Sequence, residues 1–291
     1  MNGTPCGGMV LRVVRTCSLL LVAAGILALC QLAISDAYAQ WAADQSISRL
    51  QGLCASGDED ERLSCRTQAH RYNARLAGRR VRGPVLPYKE QLLFRGEPMM
   101  AYIEIPRISV RLPIYHGMEE NALMAGVGHW PSSSLPVGGK STHCVLLGHS
   151  GMRNARMFDD IRLLEPGDRI VIWTLGDPYA YAVSGIEVIK PEDVEGRTRI
   201  RQKQDLVTLV TCTPYGVNTH RLLVHARRCG YQPNPPDTAP AVPTPGNRGL
   251  PLLAASALVV AAVIASCAGR IHRKRKARKA GRLEGVSTCK R

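Results

Sequence analysis

Two uncharged, apolar stretches lie near the two ends of the chain, on either side of a more polar central region. The first covers residues 16–35 and the second residues 250–269, and both are rich in Leu, Val, Ala and Ile. A helix of roughly 20 residues is long enough to cross the hydrocarbon core of a bilayer. The pattern therefore predicts a transmembrane helix at each position. The small residues of the segment 35–39 also fit a cleavage site, so a removed signal peptide is the alternative for the first stretch.

The first part of the central region has apolar residues at helical intervals. Ile47, Leu50 and Leu53 are followed, after the polar interruption Gly-Asp-Glu-Asp at 57–60, by a second series that ends at Leu76. This spacing predicts two helical segments within residues 41–77. Residues 78–87 are rich in Gly, Arg and Pro, which predicts a surface loop.

From residue 101 onward, short runs of β-branched and apolar residues alternate with Gly and Pro. Seven strands are predicted in this part, at 102–105, 110–115, 144–147, 169–174, 179–189, 206–211 and 221–227. A short helix is predicted over 154–164, because Met157, Ile161 and Leu164 would share one face. So many short strands with turn residues between them indicate a closed barrel or a sandwich. Residues 231–251 contain seven prolines and predict a stiff spacer.

Positive charge is concentrated at the ends of the chain, whose formal net charge is +15. Residues 270–291 contain ten Lys or Arg and one Glu, and the first fifteen residues contribute Arg12 and Arg15. A basic tail can bind nucleic acid, but basic residues beside a membrane span follow the positive-inside rule. We therefore expect a membrane-lipid partner and no nucleic acid, with both termini in the cytoplasm and residues 36–249 outside the cell.

The cysteines do not form an obvious disulfide framework. Of the ten, only Cys54, Cys65, Cys144, Cys212 and Cys229 lie between the two apolar stretches, and this odd number leaves at least one thiol without an intramolecular partner. A local disulfide between Cys54 and Cys65 and a pair of free thiols are equally consistent with the spacing. No Cys-x-x-Cys or Cys/His spacing typical of zinc is present in the sequence, so no metal is expected.

The candidate chemistry lies where the strand 206–211 ends. Cys212 follows this β-branched run, Pro214 stops the strand, and Arg221 opens the next strand. A thiol beside a fixed positive charge is the combination that acyl transfer requires. Upstream, His149 follows the buried strand 144–147 and is flanked by glycines, as suits a catalytic acid or base in a cleft.

Each of these residues also has an ordinary structural explanation. Cysteine is a common core residue, and most surface arginines are simply solvated. From the residues alone, His149 is only modestly preferred over His143 or His220 as the acid/base group. Alternation along the last strand puts Arg221 on the face opposite Leu222, beside Leu223 and His225.

Taken in order, several motifs resemble one protein family. They are YNARL at 72–76, YIEIPRI at 102–108, LPIYHG at 112–117, GVGHW at 126–130, SLPVGG at 134–139, LGH at 147–149, TLVTC at 208–212 and HRL at 220–222. Together they resemble a sortase, and more narrowly a pilin-polymerising class C sortase. The resemblance implies an all-β fold with short helices, built on a closed eight-stranded sortase β-barrel. It also implies Cys212, His149 and Arg221 as the catalytic residues, with no metal or organic cofactor.

The resemblance implies a transpeptidase. Cys212 would attack the Thr–Gly bond of an LPxTG-like signal on a secreted pilin, and a lysine amine of the next pilin would resolve the thioacyl-enzyme. His149 would protonate the leaving amine and deprotonate the incoming one. The alternatives are a sortase that anchors surface proteins to a peptidoglycan amine, a cysteine hydrolase, and a non-catalytic barrel for adhesion or scaffolding.

The predicted organisation follows from these patterns together. In order, it comprises a cytoplasmic N-terminus at 1–15, a transmembrane helix or signal anchor at 16–35, an extracellular helical and lid-like region at 36–98, the catalytic barrel at 99–230, a Pro-rich spacer at 231–249, a transmembrane helix at 250–269 and a basic cytoplasmic tail at 270–291.

One feature departs from the class C pattern. These sortases usually carry an Asp-Pro-aromatic lid motif before the first strand, where this chain has GPVLPY at 83–88. The sequence Asp-Pro-Tyr occurs at 177–179, where we expect a hairpin turn instead of a lid. A plug formed by Pro87 and Tyr88 is a hypothesis for what replaces the motif.

Overall fold

The computed structural model describes residues 6–152 and 156–233 of the chain. These residues fall into two units that are divided after Ile34, and the barrel belongs to the second unit. In the described residues, no helix combines the length and the apolar character that a membrane crossing requires. Residues 16–35 are part of the long helix α1 (Cys6–Ser56), whereas 250–269 lie outside the described residues, as do the basic tail and most of the spacer. Both transmembrane helices stay predictions.

The two predicted helical segments before the barrel are confirmed. After α1, the second helix α2 (Glu59–Leu76) is capped by the preceding Asp58, whose carboxylate accepts a hydrogen bond from the backbone N–H of Asp60 at 3.0 Å. An N-terminal cap of this kind satisfies a donor that the helix itself leaves unpaired. Gly57 occupies the break because the ring of Phe94 packs against it, and a Cβ there would lie 2.7 Å from the ring.

The motif at 72–76 attaches α2 to the barrel. Asn73 is 1% exposed, and its amide makes two hydrogen bonds to the backbone of Leu135. The Nδ2 group donates to the Leu135 carbonyl at 3.1 Å, and Oδ1 accepts from the Leu135 N–H at 2.8 Å. An unpaired buried backbone group costs about 1–3 kcal/mol. Loss of these two hydrogen bonds would leave the backbone of Leu135 unpaired, so they stabilise the packing of α2 against the loop 134–139.

Eight strands form a closed barrel, as the resemblance implied. They are β1 (Met99–Ile105), β2 (Val110–His116), β3 (Val127–His129), β4 (Thr142–Leu147), β5 (Arg169–Thr174), β6 (Asp177–Ile189), β7 (Asp205–Thr213) and β8 (His220–Arg228). Their order around the barrel is β1-β2-β3-β4-β7-β8-β6-β5. Neighbouring strands are antiparallel except for the parallel pairs β2–β3 and β4–β7. The parallel pair β4–β7 brings together residues that are far apart in the sequence.

Two short α-helices lie between strands of the barrel, and two local predictions about the connections were wrong. The helices are α3 (Glu120–Ala125) and α4 (Val194–Arg197). The predicted helix 154–164 is absent from the described residues 156–164, which contain only a 3-10 turn at Ile161–Leu163. Its apolar residues are nevertheless buried, since the chain is held to the barrel by a backbone bond from Phe158 N to the His149 carbonyl at 2.9 Å.

The second wrong prediction concerns Asp-Pro-Tyr at 177–179. These residues open β6 and pair with β5, while the hairpin turn is made by the preceding Leu175 and Gly176. Both turn residues have positive φ, 52° and 86°. Paired positive φ values are typical of the tight turns that match the twist of a β-hairpin.

The barrel buries apolar side chains on both faces of one sheet segment. The interior holds alternate residues of the strands, such as Leu146, Leu209 and Val224. On the outer face of β4, β7 and β8, a second cluster joins Val145, Val210 and Leu223 to Val194 of α4. The connection between β6 and β7, which contains α4, therefore covers part of this outer face.

Candidate active site

Three adjacent strands bring the predicted catalytic residues together at one end of the sheet. In the antiparallel pair β7–β8, Cys212 lies directly opposite Arg221. In the parallel pair β4–β7, Leu147 lies opposite Val210, and continuing this register by two residues places His149 beside Cys212. All three residues are half-buried. The strand register therefore places Cys212 between the positions of His149 and Arg221.

Hydrogen bonds extend the β4–β7 pairing past the end of β4. The backbone N–H of Gly148 donates to the Val210 carbonyl at 3.1 Å, and the Thr211 hydroxyl donates to the Gly148 carbonyl at 2.7 Å. The Ser150 hydroxyl then donates to the carbonyl of Cys212 itself at 2.6 Å. Both neighbours of His149 are thus tied to the strand that carries the thiol. Sequence patterns do not predict these contacts of Ser150 and Thr211, because hydroxyl residues beside a strand end are common.

We expect Ser150→Ala to lower kcat by about three- to tenfold, because one hydrogen bond that fixes His149 relative to Cys212 is lost. KM and the midpoint of thermal unfolding should stay close to those of the parent protein. Ser150→Thr keeps the hydroxyl and should restore most of the activity. Steady-state kinetics with a sorting-signal peptide test this expectation, and a Thr variant as impaired as the Ala variant would contradict it.

The loop that follows His149 is held by further contacts. The ring of Phe158 packs on Gly148, where a Cβ would lie 2.6 Å from the ring, so only glycine allows this approach. Gly151, with φ +84°, donates its N–H to the Asp159 carboxylate at 2.6 Å. Burial raises the pKa of Asp159, while the Gly151 N–H acts in the opposite direction. The loop geometry is therefore set by buried contacts close to the imidazole.

The guanidinium of Arg221 remains available to a substrate. Its Nη1 donates to the carbonyl of Asn218 in the β7–β8 connection at 3.0 Å and to the carbonyl of His220, the first residue of β8, at 3.1 Å. Within the described residues it forms no ion pair with a carboxylate. These bonds orient the side chain and leave its charge uncompensated, as stabilisation of an oxyanion requires.

The structure separates His149 from the competing histidines. His143 lies opposite Leu206, six residues along β7 from Cys212, which corresponds to about 20 Å. It is buried, and burial lowers its pKa to about 4. His220 adjoins Arg221 on β8 and so points to the other face of the strand. Of these three histidines, His149 is the one that the extended β4–β7 register places beside Cys212.

Comparison with known proteins agrees with this geometry. A family model described as the sortase domain matches residues 103–229. Sortase C1 of GBS pilus island 1 is 36% identical, with a TM-score of 0.59 over 67% of this chain and 96% of that one. Sortase C-1 from Actinomyces oris is 42% identical, with a TM-score of 0.53 over 58% of this chain and 99% of that one. The chain belongs to the class C sortase family.

A more distant relative marks how far the likeness extends. Sortase A from Bacillus anthracis is 30% identical over 122 residues, which are 42% of this chain and 56% of that protein. This sortase therefore spans a little over half the length of that curated relative. The family match and the relatives named sortase support a cysteine transpeptidase. Among the described residues, no group of three or more His, Cys, Asp or Glu side chains is arranged to hold a metal ion.

The structure also places the other cysteines of this sortase. Cys54 and Cys65 are both free thiols, Cys54 buried and Cys65 half-buried. Of the two alternatives that the sequence left open, the structure therefore has the unpaired thiols. Burial raises the pKa of both.

Tyr88, in the segment before the first strand of this sortase, is held by contacts with β3 and with the end of β2. The hydroxyl of Tyr88 donates to the His129 carbonyl at 3.0 Å and accepts from the Gly117 N–H at 2.9 Å. Its ring stacks on His129 and meets His116 edge to face. Within the described residues, no hydrogen bond or ring contact joins the segment 78–98 to Cys212. Tyr88 packs against the interior cluster of the barrel, whereas Cys212 shares the outer face of β7 with Val210. The hypothesis of a Tyr88 plug over the thiol is therefore wrong for this structure.

We expect Tyr88→Ala to destabilise the barrel by about 3 kcal/mol, because it removes a largely buried ring. Tyr88→Phe keeps the ring and should cost about 1 kcal/mol through the unpaired Gly117 N–H. In the folded protein, neither change should alter the alkylation rate of Cys212 more than about twofold, because the ring does not cover the thiol. Denaturant unfolding and timed iodoacetamide labelling measure the two effects, and labelling that becomes several-fold faster in Tyr88→Ala would restore the plug hypothesis.

Proposed function

We propose that this sortase polymerises pilins. It would cleave an LPxTG-like sorting signal between Thr and Gly and transfer the new acyl group to a lysine amine of a pilin subunit. The observation that carries the proposal is the placement of Cys212 directly opposite Arg221 and beside the strand extension of His149. A half-buried thiol between a proton carrier and an uncompensated cation is equipped for acyl transfer.

The proposed first half-reaction forms a thioester. The Cys212 sulfur attacks the threonine carbonyl carbon, and the C–N bond to glycine breaks. The leaving glycine amine takes a proton from the His149 imidazolium, so that it departs as a neutral amine. The Arg221 guanidinium stabilises the negative charge that develops on the carbonyl oxygen, an effect worth about 10²–10³-fold in other enzymes.

The second half-reaction forms an isopeptide bond. A lysine amine attacks the thioester carbonyl, the C–S bond breaks, and the Cys212 thiolate is released. The amine gives its proton to His149, which returns to the imidazolium state that begins the next cycle. The two half-reactions balance without a metal or an organic cofactor, since the thiol carries the acyl group.

The choice of a pilin as acceptor rests on the solved structures of class C sortases, one of which is named for a pilus island. A second candidate is attachment of surface proteins to a peptidoglycan amine. The absence of an Asp-Pro-aromatic motif from 83–88 favours this candidate, because that motif is usual in class C. Hydrolysis and a non-catalytic barrel for adhesion or scaffolding are the remaining alternatives.

The proposed location is the cell membrane, with the barrel on the extracellular face and both termini in the cytoplasm. The proposal is supported by the two uncharged stretches 16–35 and 250–269 and by the basic residues beside them. Basic residues favour the cytoplasmic side of a span. Such an anchor would keep the thiol close to secreted substrates as they leave the membrane.

Mass spectrometry of reaction products distinguishes these functions. The protein is incubated with an LPxTG peptide, a pilin domain that carries lysines, and a peptidoglycan-derived amine, and Cys212→Ala is run in parallel. A lysine isopeptide product that is lost in the variant supports pilin polymerisation. Transfer to the cell-wall amine alone would replace it by the anchoring function. A cleaved peptide with water as the acceptor would indicate a hydrolase.

A further inference from the structure

The outer face that carries Cys212 has a second polar region further along the same strands. Side chains alternate along a strand, so every second residue of β7 and β8 shares the face of the catalytic pair. The cross-strand pairs on this face are Cys212–Arg221, Val210–Leu223, Thr208–His225 and Leu206–Arg227. The apolar second pair separates the catalytic pair from the third, which lies four residues, or about 13 Å, from Cys212.

The second polar region forms a pocket of about 310 Å³. His143, Thr208 and His225 of the barrel wall line it, together with three arginines, namely Arg197 and Arg201 of the β6–β7 connection and Arg227 of β8. We call this site the basic pocket. Among its lining residues in the described structure, Glu187 is the one carboxylate, so the net charge is +2 with both histidines neutral.

Most of the positive charge in the basic pocket is not paired. Arg197 lies 3.8 Å from the Glu187 carboxylate, which is a long contact, and its side chain is 57% exposed. In the described structure, neither Arg201 nor Arg227 takes part in an ion pair, and both are exposed. Three guanidinium groups around one opening can donate many hydrogen bonds to a multivalent oxyanion.

A chain of hydrogen bonds forms the floor of the pocket. His143 Nδ1 lies 3.0 Å from the Arg199 carbonyl, and His143 Nε2 lies 2.7 Å from the Thr208 hydroxyl. The same hydroxyl lies 2.9 Å from His225 Nδ1, and His225 Nε2 lies 2.9 Å from Glu187. Four strands and the β6–β7 connection are therefore joined through one line of polar groups.

Counting donors along this chain locates a proton. The Arg199 carbonyl can only accept a hydrogen bond, so a neutral His143 carries its proton on Nδ1 and donates it to that carbonyl. Its Nε2 then accepts a hydrogen bond from the Thr208 hydroxyl. The Thr208 oxygen then accepts from His225 Nδ1, and the contact with Glu187 is a hydrogen bond only when His225 Nε2 is protonated as well. A charged His143 would be the other solution. Burial, followed by repulsion from His225 and Arg201, opposes it and lowers the pKa of His143 to about 4.

We propose that the basic pocket is a binding site for a phosphate-type oxyanion, held by Arg197, Arg201 and Arg227. A dianion matches the charge of +2, and the guanidinium groups match the geometry of phosphate oxygens. This binding site is separate from the acyl-transfer residues, and it does not depend on the proposed function.

Occupancy of the pocket would act on the catalytic end through the β6–β7 connection. This connection leaves β6 at Ile189, whose position lies opposite Arg221 in β8. Val194 then packs on Val210 and Leu223, and the same connection supplies Arg197 and Arg201 to the pocket. An anion that holds these arginines therefore also fixes the segment beside the catalytic pair.

The test uses the full chain in a non-ionic detergent with inorganic pyrophosphate as the probe, measured by calorimetry. We expect a Kd of about 1 mM or tighter, and at least a tenfold weakening in Arg201→Gln/Arg227→Gln. The matched control is Arg80→Gln/Arg82→Gln, which removes the same charge from the exposed loop before the barrel and should change the Kd less than twofold. Hydrogen exchange of the segment 194–201 should slow when pyrophosphate binds.

Two results would overturn the proposal. The first is no binding at about 10 mM pyrophosphate, roughly ten times the expected Kd. The second is an equal weakening of pyrophosphate binding in both double variants, which would mean that binding depends only on the overall positive charge of the protein. Unchanged exchange of 194–201 on binding would likewise contradict the coupling to the β6–β7 connection.

The natural phosphate can belong to a soluble or polymeric ester or to a lipid headgroup. Nanodiscs of phosphatidylcholine alone and with phosphatidylglycerol separate these sources. If the pocket binds lipid headgroups, phosphatidylglycerol should weaken pyrophosphate binding to the parent protein and slow exchange of 194–201 by itself. If pyrophosphate binds equally in both nanodiscs, the source is a phosphate outside the bilayer.

Discussion

Cys212→Ala should abolish both the acyl-enzyme and the product, a loss of at least about 10⁵-fold in kcat, because no other group at this position can carry the acyl chain. The fold should survive, since Cys212 is half-buried at the end of β7 and its carbonyl still accepts the hydrogen bond from Ser150. Intact mass after incubation with a sorting-signal peptide measures the adduct, and peptide cleavage measures turnover.

Cys229→Ala is the matched control for this prediction. Cys229 is also a half-buried free thiol, but it follows the far end of β8. Its removal should leave the adduct and the rate within about twofold, because it lies outside the catalytic end of the sheet. If the adduct persisted in Cys212→Ala and disappeared in Cys229→Ala, Cys229 would be the nucleophile and the assignment of Cys212 would be wrong.

His149→Ala should lower kcat by about 10²–10⁴-fold, the range that general acid–base groups contribute. The variant should still react with iodoacetamide at Cys212, although more slowly if the imidazolium stabilises the thiolate. The loss should appear in kcat and kcat/KM together, because proton transfer to the leaving amine occurs only in the transition state. Steady-state kinetics with a sorting-signal peptide provide the measurement.

The control for His149 is His220→Gln. The ring of His220 contacts Thr219 and points away from the face of Arg221, so its loss should change kcat less than about twofold. The result that would contradict the assignment is the reverse pattern, in which His220→Gln is inactive and His149→Ala is active. Unfolding midpoints of both variants exclude a general loss of structure.

The sequence was sufficient to place Cys212 and Arg221 opposite each other. A strand that ends at a cysteine and a strand that opens at an arginine are joined by a short connection, so antiparallel pairing brings the two residues together. Alternation along β8 also correctly predicted that Arg221 shares a face with Leu223 and His225. Such predictions hold because the pairing of two strands that are joined by a short connection depends on hydrogen bonds between residues close in the sequence.

The position of His149 beside the thiol could not be derived from local patterns. It depends on the parallel pairing of β4 with β7, two strands that are separated by β5 and β6 in the sequence. The hydroxyl of Ser150 becomes a partner of the Cys212 carbonyl only after this long-range pairing forms. The residues by themselves preferred His149 only modestly over His143 and His220, and the family resemblance separated the three.

Two other elements show the limits of periodicity. The strand β3 has three residues, too few to show alternation, and it was therefore missed. Met157, Ile161 and Leu164 have helical spacing, yet the described residues around them form a turn that is buried against the barrel. Burial alone therefore produced a pattern that resembles one face of a helix.

The most direct test of the central claim is the intact mass of the full protein after incubation with an LPxTG peptide, followed by peptide mapping. If Cys212 is the acyl carrier between His149 and Arg221, the mass should rise by the acyl fragment that ends at threonine, and mapping should place it on Cys212. If iodoacetamide labels Cys212 rapidly but the peptide leaves no adduct and is not cleaved, the thiol is open to reagents and does not perform this acyl transfer.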